Sequence, residues 1–259
     1  MTAALSVRGL GKSFGSIVAA RDITLDVPPR QTVGIIGANG AGKTTFINMI
    51  TGHLRPTAGT ILFEDRDITG RPSREITRLG VSRSFQVAQI FPSLTVADNM
   101  RAAAAVAHGS GGMIAQAFAK LDRADTRNAA AEAMELFRIA DYARVRAMTL
   151  PQGVRKLLDI AMAVVGAPRV LLLDEPTSGI SIAEKFSVME VVMAALKSRD
   201  LTVLFVEHDM EIVARFADRV LAFYDGTVIA DGTPAAALAD PRVQTLISGT
   251  GPGGGRGHA

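Results

Sequence analysis

Gly37-Ala38-Asn39-Gly40-Ala41-Gly42-Lys43-Thr44-Thr45 has the spacing G-x-x-x-x-G-K-[ST]. That pattern suits the chain to bind phosphate. Its glycines let backbone N–H groups turn inward as an anion nest, and a following helix N-terminus adds partial positive charge. Lys43 can reach the β- and γ-phosphates of a nucleoside triphosphate, and the Thr44 hydroxyl can ligate Mg²⁺. Such a cradle needs a second metal anchor and a base. Val170-Leu171-Leu172-Leu173-Asp174-Glu175 offers both at the end of an apolar run, where α/β sheets place their ligands. Asp174 suits Mg²⁺, directly or through water, and Glu175 suits the attacking water as general base. The plainer alternative for this pair is an acidic helix N-terminus. Val206-Glu207-His208-Asp209 ends a second apolar run. His208 there can sense a γ-phosphate, or it is a solvated loop histidine.

Short strands must present these groups. Leu5–Val7, Ile23–Val27, Thr32–Ile36 and Thr60–Phe63 read as strands punctuated by Pro28-Pro29 and Arg55–Gly59. A helix Thr44–Thr51 should follow the cradle. From about Pro92 to Met148 the chain is rich in alanine and helix formers, and Ala131, Met134, Phe137 and Ile139 suggest an apolar face. This stretch reads as a helical subdomain inserted into an α/β body. Val170–Leu173 and Val203–Val206 are purely apolar, as parallel strands buried on both faces should be. Tyr224–Thr227 reads as a hairpin turn into strand Val228–Asp231, and Thr233-Pro234 and Asp240-Pro241 as the starts of two short helices. The glycine-rich residues 249–259 read as a disordered tail.

The 259 residues suit one large α/β domain with an insert, taken here as 1–248 with a helical subdomain over about 92–165. The net charge of +3 is scattered rather than clustered, so no nucleic-acid partner is expected. With no cysteines, disulfide, thiolate and Cys-metal chemistry are excluded. The first residues lack signal-peptide character, and the longest uncharged stretch, Ala102–Ala119, carries His108, Ser110, Gln116 and glycines, which argues against a membrane span. Service to a membrane is expected from its cytoplasmic side.

In this order, the motifs from about Leu5 to Leu246 resemble an ABC-type ATPase cassette. The fold implied is a P-loop NTPase of α/β class with an inserted α-helical subdomain and a small antiparallel β region. The resemblance implies ATP and Mg²⁺ as ligands, with Phe14 of Lys12-Ser13-Phe14-Gly15 stacking on adenine. It implies that Gly37, Asn39, Gly40, Ala41, Gly42, Lys43, Thr44 and Thr45 surround the phosphates. Gln86, in Ser84-Phe85-Gln86, then matches the Q-loop glutamine, which contacts Mg²⁺ and the attacking water. Thr44, Gln86 and Asp174 form the implied metal set, and Glu175, His208 and Gln86 the catalytic one. Pro151, Gln152 and Gly153 stand at the signature that binds the ATP of an opposite cassette, and Ser178–Ser181 at the D-loop.

The finer likeness is to cassettes of branched-chain amino-acid importers, seen in Ser84-Phe85-Gln86, Ile90–Val96, the helical insert and Glu207-His208-Asp209-Met210. Urea and short-chain amide importers share this cassette type. The implied partners are a second cassette, identical or not, two integral-membrane permease chains and a periplasmic solute-binding protein. The implied location is peripheral, on the cytoplasmic face of the inner membrane. The alternative function is a non-transport ABC-type regulator. Two departures stand out. Pro151 has neither the hydroxyl nor the N–H of the family serine, and Ser181 replaces the usual D-loop aspartate. Ser181 with Glu184 fits a capping box.

Overall fold

The structure is a computed structural model that describes residues 2–84, 90–107, 124–247 and 249. Its strands are β1 (Leu5–Phe14), β2 (Ile17–Val27), β3 (Thr32–Gly37), β4 (Ala58–Phe63), β5 (Arg66–Asp67), β6 (Val81–Ser84), β7 (Val170–Asp174), β8 (Thr202–Val206), β9 (Arg219–Tyr224) and β10 (Thr227–Gly232). The chain divides into two compact units, one comprising residues 1–76 and 202–259 and the other residues 77–201.

The first unit holds an antiparallel sheet in the order β2-β1-β4-β5. β1 and β2 run well beyond the predicted Leu5–Val7 and Ile23–Val27. Their register shifts between Val7 and Leu10 and again before Lys12 and Ser13. These bulges break the alternation that marks a strand in sequence. The Ser6 hydroxyl donates to Asp26 at 2.6 Å and, with Arg8 adding to it, holds this carboxyl below the ordinary range. In the same unit β3 pairs in parallel with β8 and β9, and β9 pairs antiparallel with β10. All six residues of β3 and all five of β8 are buried, matching their apolar runs. The helix Lys43–Ile50 packs Phe46 against Phe223 of β9 with ring centroids 5.2 Å apart. On β3, a Cβ at Gly34 would lie 2.9 Å from Val213 of the helix Met210–Phe216, so only glycine lets that helix settle there. Asp225 and Gly226 both have positive φ in the turn between β9 and β10, as a tight two-residue hairpin requires. The two C-terminal helices start where predicted. Thr233 accepts from the Ala236 N–H and Asp240 from the Arg242 N–H, each followed by proline.

The second unit pairs β6 with β7 in parallel and carries the helices Val96–Ala107, Ala124–Leu136, Gln152–Val164 and Ile182–Ser198. The predicted subdomain, about 92–165, falls within this unit's residues. Of the apolar face predicted from Ala131, Met134, Phe137 and Ile139, Phe137 and Ile139 are fully buried just beyond Ala124–Leu136 and Met134 is half-buried, but Ala131 does not belong to it. Thr126, Ala130 and Ala133 are buried, while Ala131 is exposed. Alanine lies on both sides of the helix, so hydrophobic contrast does not mark its inner face. Asn99, fully buried, accepts from the Phe91 N–H and donates to the Phe91 and Thr95 carbonyls, fixing the loop between them. No helix among the described residues is long and apolar enough to cross a membrane. Of the predicted tail, residues 250–259 lie outside the described residues.

Candidate functional site

The cradle in the first unit is formed by the turn between β3 and the helix Lys43–Ile50. Gly42 caps that helix at φ +100 with no side-chain cap, and its first turn carries no acidic residue. The first N–H groups of a helix have no intrahelical acceptor, so this end is set for an anion. A Cβ at Gly42 would lie 2.6 Å from the Ala19 carbonyl of β2, and one at Gly37 2.5 Å from the Phe223 carbonyl of β9. The loop is further braced by the Gly226 N–H, which donates to the Ala41 carbonyl. Lys43 is buried, and its Nζ donates to the Gly37 and Ala38 carbonyls at 2.6 and 3.0 Å. Its ammonium is therefore folded over the loop itself, and a bound polyphosphate would compete for it. Asn39, Gly40, Ala41, Thr44 and Thr45 complete the loop and first helical turn in the predicted order.

His208 belongs to the same unit. β3 and β8 run parallel with Ile35 opposite Val206, and the Glu207 N–H extends the ladder to the Ile35 carbonyl. The cradle and His208 therefore leave the same C-terminal edge of these strands. Asp209 caps the following helix through the Glu211 and Ile212 N–H groups, which fixes where His208 stands. His208 is exposed, whereas Glu207 beside it is buried. Phe14 ends β1 and is 49% exposed, with Lys12 Nζ 5.0 Å from its ring centroid. An aromatic face this open can receive a base. Phe14→Ala should weaken nucleotide binding by about 1–3 kcal/mol, with little discrimination lost against GTP, because every base has a π-face. Equilibrium titration with ATP and GTP checks it, and an unchanged dissociation constant would make Phe14 merely a surface residue.

In the second unit Asp174 is the last residue of β7 and is buried. No helix starts at Glu175. Residues 175–180 are turn and bend, and the next helix starts at Ile182. The acidic helix N-terminus is thus not what this pair forms. Glu175 has φ +48, a left-handed backbone costly for a non-glycine residue. The Ser178 N–H, donating to the Glu175 carbonyl, closes the turn that holds it.

Pro151 is the N-cap of Gln152–Val164 and makes no side-chain cap. A Cβ at Gly153 would lie 3.1 Å from Val188, so this glycine sets the approach of the neighbouring helix. Gln152 lies against the D-loop, its Nε2 3.1 Å from where a Cβ of Gly179 would stand. Arg155 donates to the Met148 and Leu150 carbonyls, bracing the segment leading into Pro151. Ser181 is an N-cap residue, but the capping box does not form. Its hydroxyl donates to Glu184 Oε2 at 2.7 Å and caps no backbone N–H. Gln86 lies outside the described residues, as does His108.

Inspection of the sequence missed Arg83. Its Nη2 lies 2.6 Å from Asp174 Oδ2, with both side chains more than nine-tenths buried. Val81-Ser82-Arg83-Ser84 is too polar to read as a strand. Yet it forms β6, with Arg83 opposite Leu172 and hence on the face of β7 that carries Asp174. Hard oxygen donors such as the Asp174 carboxylate and the Thr44 hydroxyl fit Mg²⁺, and an uncapped, acid-free helix start fits a polyphosphate.

Residues 20–178 match the profile of the family described as ABC transporter. Over 242 residues the chain is 34% identical to the high-affinity branched-chain amino acid transport ATP-binding protein LivG of Escherichia coli (strain K12), covering 92% of this chain and 95% of that protein. It is equally identical over 244 residues to the corresponding protein BraF of Pseudomonas aeruginosa, with the same coverage of 92% and 95%. Among solved structures, a nucleotide-free ATP-binding cassette from an ABC transporter matches with a TM-score of 0.82 at 26% identity, over 94% of this chain and 98% of that one. The ADP conformation of MJ1267, an ATP-binding cassette of an ABC transporter, matches with the same score and identity over 95% and 98%. With its phosphate cradle and its buried Asp174 each ending an apolar strand, and with this extent of likeness, the chain belongs to the ABC transporter family as an ATP-binding cassette.

Proposed function

We propose that this chain hydrolyses ATP to drive an importer of branched-chain amino acids or a related small polar solute. The observation that carries this is the 34% identity to LivG along 92% of the chain, with Lys43, Thr44, Asp174 and Glu175 all retained in motif positions. LivG and BraF are both transport proteins by name, which favours a transport role over the non-transport regulator.

Phe14 stacks on adenine, and the cradle from Gly37 to Thr45 holds the phosphates, with Lys43 on the β- and γ-phosphates. Thr44, Gln86 and Asp174 are the residues that would hold Mg²⁺, which would supply positive charge against the charge developing on the transferred phosphoryl group. Glu175 takes a proton from the water that attacks the γ-phosphorus, and ADP leaves. His208 donates to the γ-phosphate and Gln86 orients the water. Pro151, Gln152 and Gly153 face the ATP of the opposite cassette. The partners are that second cassette, two permease chains and a periplasmic solute-binding protein, and the chain sits peripherally on the cytoplasmic membrane face. Copurification from native membranes tests the assembly. Stoichiometric permease chains are expected, and their absence would contradict it.

Pro151 has consequences for pairing. It removes two donors from the clamp on the opposite γ-phosphate, and a hydrogen bond to a charged group is worth about 1.5–3 kcal/mol. The cassette pair is therefore expected to be a heterodimer with unequal sites. The site on this chain's cradle, completed by a partner with a better signature, should do most of the hydrolysis. In the mixed complex Lys43→Ala should lower turnover more than the equivalent change in the partner. If the chain alone pairs with itself and matches the full complex's rate, the asymmetry is wrong.

A further inference from the structure

From the ion pair at Asp174 we infer that Arg83 is a positioning residue that makes the site prefer Mg²⁺ over Ca²⁺; this inference rests on the ATPase function proposed above. Arg83 Nη2 holds Asp174 Oδ2 at 2.6 Å, and the two side chains are 8% and 9% exposed. The contact is fixed by the sheet rather than by flexible side chains meeting at a surface. β6 and β7 pair in parallel, Arg83 lies opposite Leu172, and Asp174 stands two residues along the same face.

One carboxylate oxygen is therefore committed to a guanidinium. Oδ1 accepts no hydrogen bond among the described residues and is the oxygen left to serve a cation. A carboxylate limited to one oxygen cannot chelate. That suits Mg²⁺, which takes six ligands in strict octahedral geometry, keeps several waters and needs only one oxygen from each carboxylate. It penalises Ca²⁺, which takes six to eight oxygens and readily accepts both from one carboxylate. The planar, always charged guanidinium keeps this arrangement, whereas a lysine ammonium is a mobile point charge.

The experiment measures ATP dissociation constants for the full-length chain in saturating Mg²⁺, in saturating Ca²⁺ and in EDTA, with thermal unfolding as a check on folding. Wild type should bind ATP about tenfold more tightly with Mg²⁺ than with Ca²⁺, and Arg83→Met should bring the two within about threefold by freeing Oδ2 for chelation. Binding in EDTA should change little, because the phosphate cradle does not include Arg83. A purely structural role for Arg83 would weaken all three conditions together. Should Arg83→Met fail to fold cooperatively, Arg83→Lys keeps a buried countercharge without the fixed N–H. Its Mg²⁺ to Ca²⁺ ratio should fall below that of the wild type, because a mobile ammonium holds Oδ2 less firmly. The inference is overturned if wild type binds ATP equally with both cations, or if a folded Arg83 variant keeps the wild-type ratio. Failure of wild type to bind ATP under any condition would instead overturn the ATPase function itself.

Discussion

Glu175→Gln should leave ATP binding intact and slow hydrolysis by about 10²–10⁴, the usual cost of removing a general base. That corresponds to roughly 3–5 kcal/mol of barrier. Glutamine keeps the size and hydrogen-bonding reach of the side chain but cannot take a proton from water. The left-handed backbone at Glu175 belongs to the turn closed by Ser178, so the substitution leaves that backbone in place. The variant should accumulate ATP-bound paired cassettes, visible as a nucleotide-dependent dimer by size-exclusion chromatography. Turnover near wild type would remove Glu175 from its role as base.

Lys43→Ala should instead weaken binding. The ammonium is buried and lies over the cradle, donating to the Gly37 and Ala38 carbonyls. Its loss removes a charge-assisted contact to the phosphates worth about 1.5–3 kcal/mol, or roughly ten- to a hundredfold in affinity. Calorimetric titration with ATP separates this from Glu175→Gln. One variant should lose affinity and keep its base, the other the reverse. Equal affinity for wild type and Lys43→Ala would mean that Lys43 only closes the loop on itself.

The two variants probe the parts of the site that were most legible in the sequence. The cradle follows from fixed spacing, because glycines and a lysine at those intervals have few other uses. Asp174 and Glu175 follow from an apolar run that ends in two carboxylates, a pattern that buried parallel strands produce. Other parts carry weaker signals. β6 reads as polar because Arg83 is buried through its ion pair and not through apolar character. β1 is interrupted by bulges, so alternation marks only its first residues. In Ala124–Leu136 alanine occupies both the buried and the exposed faces, and the inner stripe depends on packing that composition does not encode. At Ser181 the sequence permits a capping box, yet the hydroxyl finds the Glu184 carboxylate instead of a backbone N–H. A side chain with two nearby partners chooses by local geometry.

Whether hydrolysis on this chain drives solute import is decided by solute uptake into proteoliposomes holding this chain, its partner cassette and the permease, with ATP on the cassette side and solute-loaded binding protein on the other. ATP-dependent uptake of a branched-chain amino acid or related small polar solute is expected, with hydrolysis stimulated by the loaded binding protein and both lost in Glu175→Gln. Uptake that continues unchanged in Glu175→Gln, or an assembled complex whose ATP hydrolysis is no faster than that of the variant, would contradict it.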